Sequence, residues 1–462
     1  MKSALSCLPV VVLIAALVGC SLHSIETVGA EKTSVDNTRW IEVEHIPVPA
    51  GVSGLHPDVE PAPGLGSGYT AIVCDKDDRV YVGTAFYGSY GSLLMMDPRR
   101  RPKKLEVVAS IKDIVREDLT YGINTQSKTH TRLICDNQGH IWGATKQGNE
   151  IFGVRPELGE LSDGFPGGHL YCYNPKTGIA IDHGILKKQQ GVMTGAYDPK
   201  REMLYYRTEP LANFISYNIK TGEVCDKGRV GSLTRYIDID KWGNVWIPAT
   251  GSIVKYDVER DEMRDLTAEF INGNNVTLDT SDVHKYVYGY SCVTGPDGTT
   301  LYSAPVRDSS KDGSGMISEF DLTSEHDGKI SARQVCRLAP KDMRATDVHT
   351  MTRSPDGKIY WTAETNNPAQ NSRHELHIMR YDPKTRKGED VGALWLKPLP
   401  GDKPDEGGKI KGWSEPYDGR ELPNQVGNGV QGSTFDSKGN LYIKVIGWPG
   451  YGVLTVPRKA LK

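Results

Sequence analysis

Apolar and polar positions follow one arrangement that recurs along the whole chain. Each copy has a short apolar strand, a tight turn containing Asp and Gly, and a second strand carrying an aromatic residue. The clearest copies span residues 132–143, 236–247 and 432–443. Further copies begin at Ala71 and Thr194, and degenerate copies turn at residues 295–298 and 354–357. Asp bonds to nearby backbone amides and Gly tolerates positive φ, so these segments predict hairpins.

A second signature, an aromatic strand ending in a turn, follows several copies. It spans residues 169–178, 215–222 and 378–385, and it resembles the third strand of a four-stranded unit. Seven copies of such a unit predict an all-β fold, a seven-bladed β-propeller of four-stranded antiparallel blades. We expect the strand at residues 40–48 to complete the last blade and close the ring. A six- or eight-bladed ring is the alternative if a degenerate copy is miscounted.

The N-terminus predicts export. Lys2 precedes a short apolar run, residues 8–17, that ends in Leu17-Val-Gly-Cys20. This is the pattern of a secretory signal, and the run is too short for a membrane-spanning helix. It resembles the bacterial lipoprotein signal, in which Cys20 is lipidated; a plain signal peptide is the alternative. We therefore divide the chain into a signal peptide (1–19), a polar tether (20–39) and a single propeller domain (40–462), anchored to the bacterial cell envelope through lipid only.

Composition and charge limit the classes of partner that the chain could bind. The chain has 462 residues and a formal net charge of −3, with no basic domain, which argues against nucleic-acid binding. We expect a monomer. Six cysteines beyond Cys20 are scattered singly without a CxxC pair, so their pairing stays open. The surplus length lies in long connections at residues 99–129, 147–167, 269–287 and 398–427, where function usually resides.

Candidate functional residues lie where first strands begin and second strands end, because these positions converge at one face of a propeller. The candidate catalytic residues are His130, Tyr206 and Arg207. The candidate substrate-binding residues are Lys146, Gln147, Asn149, Arg235, Tyr290, Asn428 and Gln431. This set is cationic in an acidic protein, which favours an anionic ligand, and for an exported protein we expect a uronic-acid or sulfated polysaccharide.

The residue types suit β-elimination at a uronate. Arg binds both oxygens of a carboxylate and so acidifies the neighbouring proton, while His acts as acid or base near neutral pH. Structural alternatives stay open: His130 could bond to a neighbouring blade, and Arg207 and Arg235 could be paired at blade junctions.

The repeats, the lipoprotein start, His130 and Arg207 together resemble the propeller polysaccharide lyases, with the ulvan-lyase type the most similar. The resemblance implies that a His and a Tyr share acid and base roles while an Arg neutralises the carboxylate. His130 and Arg207 would take these roles. The segment 190–194, where the Tyr is expected, contains none, so either Tyr206 or Tyr290 would replace it or the base or the chemistry would differ from that of the family.

Other functions remain open from the sequence. His284, Cys292 and His349 come from adjacent inner-strand regions, and His with Cys suits a divalent metal, zinc above all. The related oligogalacturonide lyases use a metal in a propeller of this kind. A non-catalytic propeller that binds glycan or protein is the main alternative. A glycoside hydrolase is less favoured, because Asp347 has no evident carboxylate partner.

Overall fold

The computed structural model describes residues 39–49, 70–85, 90–117, 125–147, 164–231, 234–249, 252–271, 289–305, 315–341, 343–366, 375–396, 430–445 and 451–462. Almost all regular structure in these residues is β-strand. The strands form antiparallel groups of four, which are the blades of a propeller, and we number the groups in chain order. In this count the first strands of blades two and six, each in two fragments, count once, and the N-terminal strand is the fourth strand of blade seven. Within each blade the first strand is innermost.

Strand β1 (Trp40–Pro47) precedes the first blade. Blade one contains β2 (Ile72–Cys74), β3 (Val80–Gly83), β4 (Ser92–Met96) and β5 (Glu106–Ser110), and the short helix α1 (Ile111–Val115) follows it. Blade two contains β6 (Lys128–Thr129), β7 (Ile134–Cys135), β8 (Ile141–Lys146), β9 (Gly167–Asn174) and β10 (Ile179–Lys188). Blade three contains β11 (Gly191–Asp198), β12 (Met203–Glu209), β13 (Asn213–Asn218) and β14 (Val224–Arg229).

Blade four contains β15 (Asp238–Ile239), β16 (Val245–Pro248), β17 (Ile253–Asp257) and β18 (Glu262–Phe270). Blade five contains β19 (Ser291–Thr294), β20 (Thr300–Ala304), β21 (Met316–Asp321) and β22 (Lys329–Arg337). Blade six contains β23 (Arg344–Asp347), β24 (Met351–Arg353), β25 (Ile359–Asn366), β26 (Glu375–Asp382) and β27 (Lys387–Leu396). Blade seven contains β28 (Val430–Phe435), β29 (Leu441–Val445) and β30 (Gly452–Val456), and a 3₁₀ helix (Arg458–Leu461) follows.

The recurring Asp and aromatic residue build each hairpin together. In blade two, Asp136 Oδ1 accepts hydrogen bonds from the backbone amides of Gln138 and His140, both at 2.8 Å, and its Oδ2 accepts one from Trp142 Nε1 at 2.9 Å. Asp240 and Trp246 repeat this arrangement in blade four. One buried carboxylate therefore shapes the turn and satisfies the indole N–H of the second strand, which explains why the two residue types recur together.

The innermost strands contact one another in a closed cycle. Among the described strands, β28 contacts β2, and the contacts continue through β7, β11, β15, β19 and β24 back to β28. The apolar core lies between neighbouring blades, as where Trp142 of blade two packs in one cluster with Leu204 and Tyr217 of blade three. Each blade is therefore buried on both faces.

The N-terminal strand closes the ring. Residues 44–47 of β1 pair antiparallel with β30 and complete blade seven, while residues 40–43 pair in parallel with β27 of blade six. The predicted all-β propeller with four-stranded antiparallel blades and N-terminal closure is confirmed. The six scattered cysteines, all within the described residues, are free thiols. In the described part of the chain, we find no helix whose length and hydrophobicity would suffice to cross a membrane.

Candidate functional site

Most of the candidate residues that the structure describes lie at one end of the blades, where second strands finish and first strands begin; we call this the site end. Lys146 and Glu209 are the last residues of β8 and β12. His130 and His349 occupy interruptions of first strands, between β6 and β7 and between β23 and β24. Both fragments of each interrupted strand pair with the same neighbouring strand. Each histidine therefore lies at an irregular position within a strand that is otherwise continuous.

His130 is a buried, neutral base. Its Nδ1 lies 3.1 Å from the backbone carbonyl oxygen of Met193 in the next blade, and a carbonyl can only accept, so Nδ1 carries the proton and Nε2 the lone pair. Burial lowers the pKa of His130 well below its usual range, and the positive charges of Lys146, Arg235 and Lys128 lower it further. The imidazole therefore stays unprotonated at neutral pH.

The positive charges of three cations from three blades act on the carboxylate of Glu209. Lys146 Nζ of blade two forms an ion pair with Glu209 of blade three. Burial alone would raise the pKa of Glu209, but Lys146, Arg207 and Arg235 together lower it to about 2. The lowered pKa of His130 and the lowered pKa of Glu209 both reflect the positive potential of these cations. We call Lys146, Arg207, Glu209 and Arg235 the cationic cluster.

A chain of polar contacts extends the cationic cluster across the ring. Arg235 Nη1 donates to Gln431 Oε1, and the amide nitrogen of Gln431 donates to His349 Nδ1. His349 Nε2 lies 2.6 Å from Asp347 Oδ1. The Arg235 guanidinium also lies 5.2 Å from the ring centroid of Tyr290, within cation–π distance. Blades four to seven therefore contribute to the same site as blades two and three.

Most of the predicted residues that the structure describes come together. Those that the described residues place at one site are His130, Lys146, Arg207, Arg235, Tyr290 and Gln431. Gln147 follows Lys146, and a side chain at Gly191 of blade three would collide with both, so the glycine allows their close approach. Asn149, Asn428, His284 and Cys20 lie outside the described residues.

Tyr206, which the sequence predicted to be catalytic, does not lie at the site. Side chains alternate along β12, so Arg207 and Tyr206 point to opposite faces of blade three. Tyr206 packs with Trp142 and Leu170 in the core between blades two and three, and burial raises the pKa of its hydroxyl well above the usual range. Within the described residues this hydroxyl has no hydrogen-bond partner. Tyr206 therefore cannot supply an acid or base to the site, and Tyr290 is the tyrosine that lies there.

Of the three residues predicted to bind zinc, Cys292 and His349 lie within the described residues, and the structure places neither as an available metal ligand. Cys292 is fully buried in the apolar core, where its thiol contacts the carbonyl oxygen of Tyr236 at 3.4 Å, and burial raises its pKa well above the usual range. Both ring nitrogens of His349 already contact Gln431 and Asp347. No group of three His, Cys, Asp or Glu side chains in the described ranges could hold a metal ion.

Two buried histidines that the sequence pattern did not single out are each held between two carboxylates. His169 Nδ1 lies 3.0 Å from Asp182 and its Nε2 2.7 Å from Glu117. His377 Nδ1 lies 3.0 Å from Asp390 and its Nε2 3.0 Å from Glu375. Burial opposes protonation, but the carboxylates prevail and raise the pKa of each histidine to about 9.

A fixed spacing could have revealed these contacts. His169 and Asp182, Asn213 and Asp226, and His377 and Asp390 are each thirteen residues apart, and each pair joins a third strand to a fourth. The same aspartates accept a hydrogen bond from the backbone of a glycine two residues later. The recurrence indicates a structural device that fixes the outer strands at the site end.

Comparisons with known proteins leave the family open. No protein-family model and no curated protein matches the chain. The chain is similar to the extracellular domain of a putative hybrid two-component system from B. thetaiotaomicron, with a TM-score of 0.49 and 10% identity over 90% of this chain and 40% of that one. It therefore spans about two fifths of that protein's length. It is similar as well to the RRP9 WD40 repeats, with a TM-score of 0.47 and 9% identity over 90% of this chain and 99% of that one. Likeness of this degree carries no argument about function, and the assignment of the fold rests on the strand pairing.

Proposed function

We propose that this protein is an exported propeller that binds an acidic polysaccharide through the cationic cluster. The observation that carries the proposal is the ion pair of Lys146 with Glu209, together with the positive charges of Arg207 and Arg235, which act on the same carboxylate. Arginine suits a uronate carboxylate or a sulfate because its planar fork donates to two oxygens at once. The proposal includes export through residues 1–19 and lipidation at Cys20, which rest on the sequence pattern alone.

Binding assays with single variants test this proposal. We expect isothermal titration with polygalacturonate to show binding that Arg207→Gln or Arg235→Gln weakens about tenfold to a hundredfold, because each removes charge-assisted hydrogen bonds. Arg260→Gln is the matched control, since Arg260 is exposed on the turn after β17. Arg207→Lys keeps the charge and should restore part of the affinity.

Three results would refute the binding proposal. They are unchanged affinity in both cluster variants, an equal loss in Arg260→Gln, and equally tight binding of neutral dextran. Dextran sulfate in the same assay separates recognition of sulfate from recognition of carboxylate, because both present oxygens to the same cluster.

The state of His130 favours a second candidate, a lyase that acts on the bound uronate. Nε2 of His130 would remove the C5 proton, the C4–oxygen bond would break with formation of a C4=C5 double bond, and the leaving oxygen would take a proton. Tyr290 is the candidate donor of that proton, since it lies against Arg235. This role for His130 is supported by its fixed tautomer and lowered pKa.

A continuous ultraviolet assay for the unsaturated product tests the lyase candidate. We expect His130→Ala to abolish turnover of polygalacturonate while binding persists, and His326→Ala, at an exposed histidine, to change neither. Because the pKa of His130 is lowered, its ionisation should not reduce the rate between about pH 8 and about pH 6.5. Binding without any unsaturated product would leave the non-catalytic propeller as the function.

A further inference from the structure

A groove of about 500 Å³ lies at the ends of the strands opposite the site end. Its walls are the first half of β1, the turn at residues 436–440 between β28 and β29, and the turn at residues 98–103 between β4 and β5. Turns between first and second strands, and between third and fourth strands, are remote from Lys146 and Arg235 by the topology of the blades. The groove is therefore separate from the cationic cluster.

The groove exists because β1 changes partner along its length. Residues 44–47 pair with β30 of blade seven, but residues 40–43 leave β30 and pair with β27 of blade six. The two sheets diverge at that point, and the C-terminal residues 455–460 form the far wall of the gap. We call this feature the Trp40 groove, since Trp40 lines it.

Cations predominate along the Trp40 groove. The lining cations are Arg39, Arg99, Arg101, Lys103, Lys438 and Lys459, against the carboxylates Glu42, Glu44, Asp78 and Asp436. Arg39 and Arg101 donate to backbone carbonyl oxygens, at 2.8 Å and 2.6 Å. Within the described residues, no side-chain carboxylate forms an ion pair with Arg101 or Lys459. Arg99, Lys103 and Lys438 are paired with Asp97, Glu44 and Asp78, so Arg101 and Lys459 are the groove cations whose charge is kept for an outside partner.

Aromatic rings accompany these charges. Trp40 and Tyr442 line the groove, and Trp40 is held edge-on against Trp395 with ring centroids 5.4 Å apart. A neighbouring pocket of about 370 Å³ shares Lys438 with the groove and is lined by Tyr360 and Phe435. Tyr442 and Tyr360 are buried, whereas Trp40 and Phe435 are only half-buried. The exposed parts of Trp40 and Phe435, beside cations in a concave channel, suit sugar rings that carry acidic groups. The concavity suits a chain better than a flat lipid surface.

We propose that the Trp40 groove binds a segment of acidic polysaccharide. It is a second glycan site at the face opposite the cationic cluster. A chain held there is kept near the protein independently of what occupies the cluster, which raises its effective concentration.

Matched double variants test the second site. Arg101→Gln with Lys459→Gln removes two exposed groove cations that make no ion pair within the described residues, so the fold should be unaffected. Lys176→Gln with Lys384→Gln removes the same charge from exposed turns elsewhere. We expect the groove variant to raise the Kd for polygalacturonate about fivefold to tenfold at low salt, and the control to change it less than about twofold.

Repeating the assay in a protein that carries Arg207→Gln separates this proposal from the proposed binding at the cationic cluster. In a protein carrying Arg207→Gln, binding that still depends on the groove variant supports the second site even if the cluster binds nothing. Equal Kd values for the groove variant and its control in that background would overturn it, whatever the cluster does. Binding of phosphatidylglycerol vesicles that depends on the groove, without any such effect on polygalacturonate, would overturn it in favour of a lipid surface.

Discussion

Replacing Glu209 with Gln is expected to lower the free energy of unfolding by about 3 kcal/mol and to tighten binding of an acidic ligand. The fold loses stability because Lys146 would remain buried without its ion-pair partner. Affinity rises because the Glu209 carboxylate, on which the charges of Lys146, Arg207 and Arg235 act, no longer repels the incoming anion. A gain of about tenfold corresponds to removing one like charge at short range.

The pH dependence of this effect has a definite sign. The pKa of Glu209 is about 2 in the folded protein, against an ordinary value of 4.5. A lowered pKa gives stability that is present above pH 4.5 and is lost as pH falls through about 2. The difference between the native protein and Glu209→Gln in urea unfolding should therefore shrink over that range.

Glu262→Gln is the control for this experiment, because Glu262 is exposed and pairs with Arg264 at the surface. We expect its effect on unfolding to stay within about 0.5 kcal/mol and its effect on binding to be absent. A Glu209→Gln protein that is as stable as the native one, or that binds polygalacturonate more weakly, would contradict the role assigned to this carboxylate.

The second large effect is expected at His377. His377→Gln should destabilise the protein by about 3 kcal/mol at pH 6.5, because Glu375 and Asp390 would lose the imidazolium between them. The pKa of His377 is raised to about 9 from an ordinary 6.5. A raised pKa gives stability that is complete below pH 6.5 and is lost as pH rises through about 9.

Chemical denaturation at a series of pH values measures this prediction. The gap between the native protein and His377→Gln should close as pH rises from about 6.5 to above 9. The variant should keep part of the pH dependence, since the pKa of His169 is also raised to about 9. His326→Gln, at an exposed histidine, should leave the whole curve unchanged. A gap that stays constant with pH would show that the imidazolium charge at His377 is not what stabilises the site.

The fold could be predicted because each copy of its repeat depends on contacts between residues that are close in sequence. Asp136 and Asp240 each organise a turn and bond to an aromatic residue a few positions later, so the pattern is visible in any stretch of about a dozen residues. The positions of His130 and Arg207 were predictable for the same reason, since the copies of the repeat show where first strands begin and second strands end.

The error at Tyr206 has a physical cause. Both faces of a blade are buried against neighbouring blades, so the two-residue alternation of a strand does not show which face reaches the site. Tyr205, Tyr206 and Arg207 are all buried, yet they belong to different surroundings. The interruption of the first strands at His130 and His349 has no signature in the sequence that we recognise.

By itself, the sequence determined the all-β class, the repeated hairpins and the N-terminal strand that completes the last blade, because these depend on turn chemistry and alternation within short segments. Only the tertiary structure decided which side chains meet. The ion pair of Lys146 with Glu209 joins residues 63 positions apart, and the contact of Arg235 with Gln431 joins residues 196 apart. Contacts at such separations follow from the circular packing of the blades, which fixes the distances between residues that no local pattern connects.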